Sequence, residues 1–502
     1  MKLQALTVLC TIALVNAHAL HADRIARHAH IARQNTDTTS SSPAAPSPTT
    51  TATDTPPANT SNAPPPPPGP PQGTTSDTGS AGAPTGTTTG STTASEPATP
   101  TYDINGIPPI SHITSGMPTG TTYAVSHTYT PGAKPTAPAG APALPQFTFV
   151  PSEWPAMDKP PPTDSPEVQA WMKELEGHDI PDLSVTVDGT CASDPAAFAD
   201  AEKRGWWSCG GWTRPTDIID CPDKFTWGVS FDDGPSPYTQ KLLNYMDSMN
   251  MKATFFVVGS RALEYPNLLI EEYMAGHEIS VHTWAHPPLT SRTTAQIVAE
   301  LGWTRLIIQK VLGITPTTMR APYGDIDDRV RAIALAMGMV PIQWTRTPEF
   351  TFDTNDWKVA SGAVTGPQQM ETFQTILSSA SNMNNGFIVL AHDLYEITVD
   401  LAVGYTLPAA LAHNPPFQIK RIGECNNIPM SNLYVETNKN ATFPGPGATN
   451  ASNPLPGGGV PGKGGNGSGA AAGGNNSGAS SLQLPLVSAF VAAGFAALGA
   501  IF

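Results

Sequence analysis

Charged side chains are scarce in this sequence of 502 residues, and basic ones are the scarcest. Asp, Glu, Lys and Arg together make up 13% of the chain, roughly half of the usual share of about 25%. Lys and Arg number 26 against 41 Asp and Glu, which gives a formal net charge of −15. A protein that binds nucleic acid needs a basic surface to neutralise phosphates. The composition therefore argues against a nucleic-acid partner.

Cysteine is also scarce, with five in the whole chain. Cys10 lies in an apolar N-terminal run, which leaves Cys191, Cys209, Cys221 and Cys425. No two of these four are spaced as CxxC, which argues against a zinc site built on thiolates. An even number in an oxidising compartment predicts two disulfides. Four cysteines allow three connectivities, and the count alone leaves them open.

The first 19 residues have the composition of a secretory signal peptide. One lysine, Lys2, precedes an apolar run that closes with the small residues around His18. Signal peptides are removed after such small residues, so we expect cleavage after Ala19 or Ala17. A buried strand or helix is the alternative interpretation. Residues 20–35, which hold several His and Arg, form a candidate pro-segment.

The C-terminal residues 481–502 are apolar and uncharged, and a small, polar stretch precedes them. This order predicts a GPI-anchor signal, whose hydrophobic tail is removed. We expect attachment between Ser468 and Gly478, and a location at the cell membrane or wall. A tail-anchored transmembrane helix is the alternative, but no Lys or Arg follows the tail.

Two segments of biased composition flank one region of mixed composition. Residues 36–165 are rich in Ser, Thr and Pro, which predicts a disordered, O-glycosylated stalk whose residues 101–165 wrap or tether. Residues 431–480 are a disordered linker rich in Gly, Asn and Ser. We therefore place the folded domain at 166–430. Sequons for N-glycosylation lie outside it, at Asn59, Asn440, Asn450, Asn466 and Asn475.

Strand-like and helix-like runs alternate within the domain. This order predicts an α/β fold with parallel strands and outer helices, either a barrel or a doubly wound sheet. The strand-like runs lie at 226–231, 253–258, 278–281, 317–320, 339–344 and 386–391. The helix-like runs lie at 238–249, 268–275, 293–312, 327–337 and 368–377.

Polar motifs follow successive predicted strands: SFDDGP, HTWAH, RAPYGD, FDTNDW and AHD. In a parallel barrel those strand ends converge on one face. Two imidazoles and a carboxylate can hold a divalent ion and leave positions open. His282 and His286 with Asp233 or Asp232 provide such a set, which suits zinc best and also cobalt or manganese. Taken singly, each motif is also explained as a turn, a solvated loop or a core histidine. Five in order favour a metal-dependent site.

These five motifs, in this order, resemble those of the polysaccharide deacetylase family (carbohydrate esterase family 4, the NodB homology domain). The resemblance covers residues 220–425, and the signal, stalk and tail resemble fungal GPI-anchored chitin deacetylases in particular. It implies a distorted (β/α)7-type barrel. It also implies hydrolysis of the N-acetyl groups of GlcNAc residues in chitin, which gives chitosan and acetate at the cell surface, by a monomeric enzyme.

The resemblance assigns a role to each motif residue. Asp233, His282 and His286 would bind the metal, which we expect to be zinc, with cobalt as an alternative. Asp232 would be the general base that takes a proton from the attacking water. Arg320 would keep that base ionised and oriented.

The remaining roles fall on the later motifs. His392 would be the general acid that protonates the leaving amine, and Asp356 would keep it charged and oriented. The backbone N–H of Tyr323 would stabilise the oxyanion. Trp357 and Leu390, with Tyr323, would contact the substrate and form an apolar slot for the acetyl methyl group.

The positions of two cysteines favour one of the three disulfide connectivities. Cys221 stands just before the first strand and Cys425 just past the last, which favours that pair and leaves Cys191 with Cys209.

Two other functions compete with this interpretation. An esterase acting on another acetylated wall polymer is the second enzymatic interpretation. A glycosylated wall protein that only binds polysaccharide is the alternative from a different class, and the intact set of titratable residues argues against it.

Overall fold

The structure, a computed structural model, describes residues 106–120, 122–440 and 443. Several predictions fall outside these residues: the signal peptide, the pro-segment, the first part of the stalk, the attachment window between Ser468 and Gly478, the tail, and the sequons at Asn59, Asn450, Asn466 and Asn475. Asn440 lies inside them and is exposed. No helix within the described ranges combines the length and the apolar character that a membrane span requires.

Every strand pairing within the described strands is parallel. One sheet has three strands in the order β7-β1-β8, and the other has five in the order β2-β3-β4-β5-β6. Most of these strands are buried along their length, as expected where helices cover a parallel sheet. The strands are β1 Thr226–Gly228, β2 Ser230–Asp232, β3 Thr254–Val257, β4 Glu278–Val281, β5 Thr318–Met319, β6 Val340–Pro341, β7 Phe387–Ile388 and β8 Gln418–Lys420.

Strands β1 and β2 are consecutive, and the segment that they form belongs to both sheets. Val229 separates them; its N–H donates to Lys420 O at 2.9 Å and its carbonyl accepts from Thr254 N–H at 3.0 Å. Beyond β6, Thr345 N–H donates to Ile388 O at 3.0 Å. The α/β class with parallel strands is thus confirmed. The seven-stranded barrel stays a prediction.

Helices connect the strands, and local sequence fixes their ends. The longest begins after Thr293, whose hydroxyl accepts the Gln296 N–H while the Gln296 side chain accepts the Thr293 N–H. Such a capping box satisfies two otherwise unpaired donors. Gly313, at a left-handed φ of 78°, ends this helix. The α-helices are Pro166–Met172, Pro195–Ala199, Ala201–Arg204, Thr239–Ser248, Gly259–Glu264, Pro266–Met274, Thr294–Leu312, Asp328–Ala336, Asp356–Ser361, Gly366–Asn382, Glu396–Leu401, Leu407–Leu411 and Ile422–Cys425.

Residues 106–165, which we call the N-terminal strap, pack against this domain although we placed them in the stalk. Ile113 and Leu144 of the strap are buried. The Trp154 ring stacks on Trp284 with centroids 6.3 Å apart, and the Tyr405 hydroxyl donates to Pro108 O at 2.6 Å. The strap therefore contributes buried side chains to the packed region. The domain boundary at residue 165 stays a prediction.

Both expected disulfides are present. Cys221 and Cys425, 5.4 Å apart at Cα, join the segment before β1 to the helix after β8 and close 204 residues of sequence. Cys191 and Cys209 close a short loop of 18 residues. Cross-links of this kind limit the freedom of the unfolded chain, more for longer loops.

Candidate active site

The two adjacent aspartates stand at the end of β2 and point to different neighbours. Asp232 is the last residue of β2, and its N–H donates to Ala391 O at 2.9 Å. Asp233 leaves the strand with a left-handed φ of 79°. Its carbonyl accepts from Arg261 Nη1 at 2.7 Å. Left-handed backbone is costly for a residue with a Cβ, and such strain collects at functional sites.

Asp233, His282 and His286 form a compact group that is able to hold a metal ion. Their ligand atoms all lie within 4.8 Å of one another. Asp233 Oδ1 lies 3.4 Å from His282 Nε2 and 3.0 Å from His286 Nε2. β4 ends at Val281, so this strand places His282 directly at the sheet edge. The structure thus brings together all three predicted ligands.

The hydrogen bonds of His282 show that the group fits a cation. His282 Nδ1 lies 2.9 Å from Arg320 O, and a carbonyl only accepts, so Nδ1 carries the proton. Nε2 is therefore the ring nitrogen that faces Asp233, 3.4 Å from its Oδ1. Zinc accepts this mixture of nitrogen and oxygen ligands.

The electrostatics favour the protonation states that a metal ligand needs. Burial alone raises the pKa of Asp233, but the charges and hydrogen bonds of His286, His282 and His392 together hold it well below its usual range. Burial lowers the pKa of His286 in spite of its carboxylate neighbour. Both shifts favour the unprotonated forms of these side chains, which are the forms that bind a metal.

Asp232 is held in a short ion pair behind the ligands. Arg320 Nη1 lies 2.6 Å from Asp232 Oδ1 and also donates to Ser230 Oγ at 3.0 Å. Both partners of the pair are buried, and the guanidinium lies over the Phe256 ring, 3.9 Å from its centroid. Asp232 Oδ2 lies 3.9 Å from His282 Nε2. The second oxygen of this carboxylate therefore faces the ligand group.

Tyr323 lies in a tight turn opposite the ligands. Its φ is 60°, and the N–H groups of Gly324 and Asp325 donate back to Ala321 and Pro322. Those bonds close the turn without the Tyr323 N–H. The Tyr323 hydroxyl lies 3.2 Å from His286 Nδ1, and burial raises its pKa. The side chain therefore supports a ligand, while the N–H stays available as a donor.

His392 follows the end of β7 and lies next to Asp232 across a parallel bridge. His392 Nδ1 lies 2.7 Å from Asp356 Oδ1, and its own N–H donates to Asp356 Oδ2 at 2.8 Å. Burial lowers the pKa of His392, but the charge and hydrogen bond of Asp356 outweigh it and raise that pKa to about 10. His392 is therefore protonated at neutral pH.

Trp357 and Leu390 lie on segments that pair with each other. Leu390 is buried and forms a parallel bridge with Asp353. Trp357 is half-buried, and its Nε1 lies 3.4 Å from Asp353 Oδ2. Both residues thus lie at Asp353, and each is within two residues of a member of the His392 and Asp356 pair. Their role as an acetyl slot stays a prediction.

Two buried carboxylates support the site although sequence reasoning gave them no role. Asp393 Oδ2 accepts from Thr239 Oγ1, and a Cβ on Gly234 would clash with the Asp393 carboxylate in this position. Glu300 accepts two N–H groups from the loop between the histidines. Asp393 stands in the AHD motif and was visible as a candidate; Glu300 gave no signal in the sequence.

The sequence is also similar to a family of known proteins. The family model described as polysaccharide deacetylase matches residues 220–342. Chitin deacetylase 1 of Cryptococcus neoformans var. grubii is 49% identical over 354 residues, which cover 68% of this chain and 74% of that protein. The chain belongs to the polysaccharide deacetylase family. The family member named chitin deacetylase in Amylomyces rouxii is 32% identical over 306 residues, which cover 58% of this chain and 69% of that protein.

Among solved structures, that of the chitin deacetylase from Colletotrichum lindemuthianum is 27% identical. The match covers 45% of this chain and 97% of that chain, with a TM-score of 0.40. Family membership makes this protein an enzyme that removes acetyl groups. Enzymes of the polysaccharide deacetylase family use a divalent metal, and the group of Asp233, His282 and His286 fits one.

Proposed function

We propose that this protein is a chitin deacetylase, which hydrolyses the N-acetyl groups of GlcNAc residues and releases acetate. The observation that carries the proposal is the pairing of Asp232 with Arg320 and of His392 with Asp356 beside one ligand group. Chitin as substrate is supported by the two relatives that are named chitin deacetylases. An amide is a poor substrate for hydrolysis, because its amine leaves only once it is protonated. The site has one group to accept a proton from the attacking water, Asp232, and another to protonate the amine, His392.

Asp232 acts as the general base. Arg320 keeps its charge at any accessible pH, so the ion pair fixes Oδ1 of Asp232. Oδ2 is then the oxygen that accepts a proton from the attacking water as the C–O bond forms. Asp233, His282 and His286 would hold a divalent ion, zinc being our proposal, which when bound polarises the acetamide carbonyl and activates water.

Tyr323 and His392 act on the two sides of the tetrahedral carbon. The Tyr323 N–H, which the turn leaves unused, donates to the developing oxyanion. His392 then gives its Nε2 proton to the amine nitrogen as the C–N bond breaks. Asp356 stabilises the imidazolium before this transfer. The products are acetate and a free amino group on the sugar.

Trp357 and Leu390 form the wall that receives the acetyl methyl group. Both lie at Asp353, and each is close in sequence to a member of the His392 and Asp356 pair, which supports this part of the proposal. An apolar wall at this point favours a small acyl group over water. This part of the proposal names the residues that select acetyl, and it predicts that larger acyl groups react slowly.

Measurement of acetate release from chitin oligomers tests the proposal. We expect release by the full chain, loss of release with a chelator, and recovery when zinc is added. Release from acetylxylan but not from chitin would instead assign an esterase of another wall polymer. No release from either substrate would leave a protein that only binds polysaccharide.

We further propose that the enzyme is a secreted monomer held at the cell surface by a GPI lipid attached between Ser468 and Gly478. The small residues, spacer and apolar tail support the anchor, and two disulfides support an oxidising compartment. We propose the distorted seven-stranded barrel for the domain. Release from cells by a phospholipase that cuts GPI lipids tests the anchor; retention after such treatment would contradict it.

A further inference from the structure

One side-chain oxygen, Oε2 of Glu300, accepts two hydrogen bonds from the loop between the two histidine ligands. Glu300 lies on the helix Thr294–Leu312, and its side chain is fully buried. Glu300 Oε2 accepts the Trp284 N–H at 2.8 Å and the Ala285 N–H at 2.9 Å. These two residues stand directly between His282 and His286. One carboxylate oxygen thus binds two of the three backbone N–H groups between the ligands.

Three other polar backbone groups of this loop have their own partners. Thr283 O accepts from Gly259 N–H at 2.9 Å, and Trp284 O accepts from Ser260 N–H at 3.1 Å. The His286 N–H donates to Thr283 Oγ1 at 3.0 Å. Buried backbone donors must be paired, because an unpaired one destabilises the fold. Glu300 is therefore the group that satisfies the two donors left by this arrangement.

The loop also needs a restraint, because its conformation is strained. Thr283 and His286 have left-handed φ values of 65° and 59°. Non-glycine residues persist in that region only where surrounding contacts over-determine them. The paired hydrogen bonds to Glu300 lie between these two positions. Loss of the bonds would free the loop to relax and turn the His286 ring away from Asp233.

We propose that Glu300 is a positioning residue for the metal: its Oε2 fixes the spacing and direction of the two imidazoles. This inference rests on the metal site proposed above and concerns ion binding rather than the substrate. Groups that orient metal ligands change metal affinity by about 10–100-fold when removed. A purely structural role for Glu300 would lower the stability of the fold but leave the affinity of the folded protein unchanged.

Zinc affinity of the full metal-free chain, measured by competition with a chromogenic chelator, tests the proposal. We expect Glu300→Ala to weaken zinc binding about 10–100-fold. Glu300→Gln keeps a carbonyl oxygen at the same reach and should stay within about threefold of the wild type. Glu300→Asp, one methylene shorter, should fall between them. Circular dichroism shows which variants are folded.

Glu278→Ala is the matched control, since Glu278 is a buried carboxylate that accepts the Gly423 N–H at 2.9 Å at the far end of β4. We expect it to lose stability without a change in zinc affinity. A folded Glu300→Ala protein with wild-type affinity would overturn the inference. If that variant does not fold, equal affinities for Glu300→Asp and Glu300→Gln would overturn it. Failure of the wild type to bind zinc would overturn the proposed metal site as well, so the two failures are distinguishable.

Discussion

The two catalytic carboxylates make ion pairs of nearly equal length with cations of different chemistry. Asp232 lies 2.6 Å from Arg320 Nη1, and Asp356 lies 2.7 Å from His392 Nδ1. Arginine does not give up its proton in proteins, whereas histidine does. In the mechanism that we propose, Asp232 therefore accepts a proton, while Asp356 positions a partner that donates one. The partner, and not the distance, decides the role of each carboxylate.

The largest loss of activity is expected from a variant that lacks the general base. Asp232→Asn keeps the shape of the side chain but cannot accept a proton, and it leaves the Arg320 charge without a counter-ion. We expect kcat to fall by about 10³–10⁴-fold on chitin oligomers. Zinc content, measured beside activity, should stay near one per chain. Full activity in this variant would end the assignment of Asp232 as base.

Removing the acid should have a large effect that depends on the leaving group. His392→Gln cannot protonate an amine, so we expect kcat on chitin oligomers to fall by about 10²–10³-fold. A nitrophenyl acetate ester releases a phenolate without a proton, and its hydrolysis should fall by an order of magnitude less. Equal losses on the two substrates would show that His392 does not act as acid.

Changing the partner of the acid should move a pKa rather than abolish catalysis. The acid works in its protonated form, so activity is present below the pKa of His392, about 10, and is lost as pH rises through it. Asp356→Asn removes the charge that raises this pKa and leaves the burial that lowers it. We expect the alkaline limb of kcat/KM to move down by about one to three pH units. An unmoved limb would contradict the pairing.

The smallest effect is expected from a variant that keeps the positive charge of Arg320 beside the general base, Asp232. Arg320→Lys preserves the positive charge beside Asp232 but loses the planar guanidinium, whose Nη1 donates to both Asp232 and Ser230. We expect kcat to fall roughly tenfold. Arg320→Met, which loses the charge, is the comparison and should lower kcat further. Equal losses of kcat in the two variants would show that the charge beside Asp232 does not support the base.

Hydrophobic periodicity in the sequence predicted the buried helices and strands well, and the short, polar ones badly. The strand predicted at 278–281 is found as Glu278–Val281, and the helix at 293–312 as Thr294–Leu312. The strand predicted at 339–344 is reduced to Val340–Pro341, because the residues beyond it pair through single bridges and bonds to different neighbours. The helix Asp356–Ser361 and the strand Gln418–Lys420 were not predicted, since each is short and the strand is partly exposed.

In the site as well, residues that stand in local sequence motifs could be predicted, whereas residues placed by packing in the folded protein could not. Asp233, His282 and His286 could be predicted because each stands in a motif at a strand end, and parallel strands bring those ends together. Glu300 could not, because its role arises from packing a helix against the ligand loop. Nothing in the spacing from His286 to Glu300 indicates that contact. Arg261, which donates to Asp233 O, was missed for the same reason.

The zinc-edge X-ray absorption spectrum of the reconstituted protein tests the central claim most directly. The account requires one zinc per chain, held by two imidazoles and one carboxylate beside Asp232. It predicts a first shell of nitrogen and oxygen at about 2.0–2.2 Å with imidazole scattering, and loss of one imidazole in His286→Ala. A shell without imidazole, or a spectrum that His286→Ala leaves unchanged, would contradict the account.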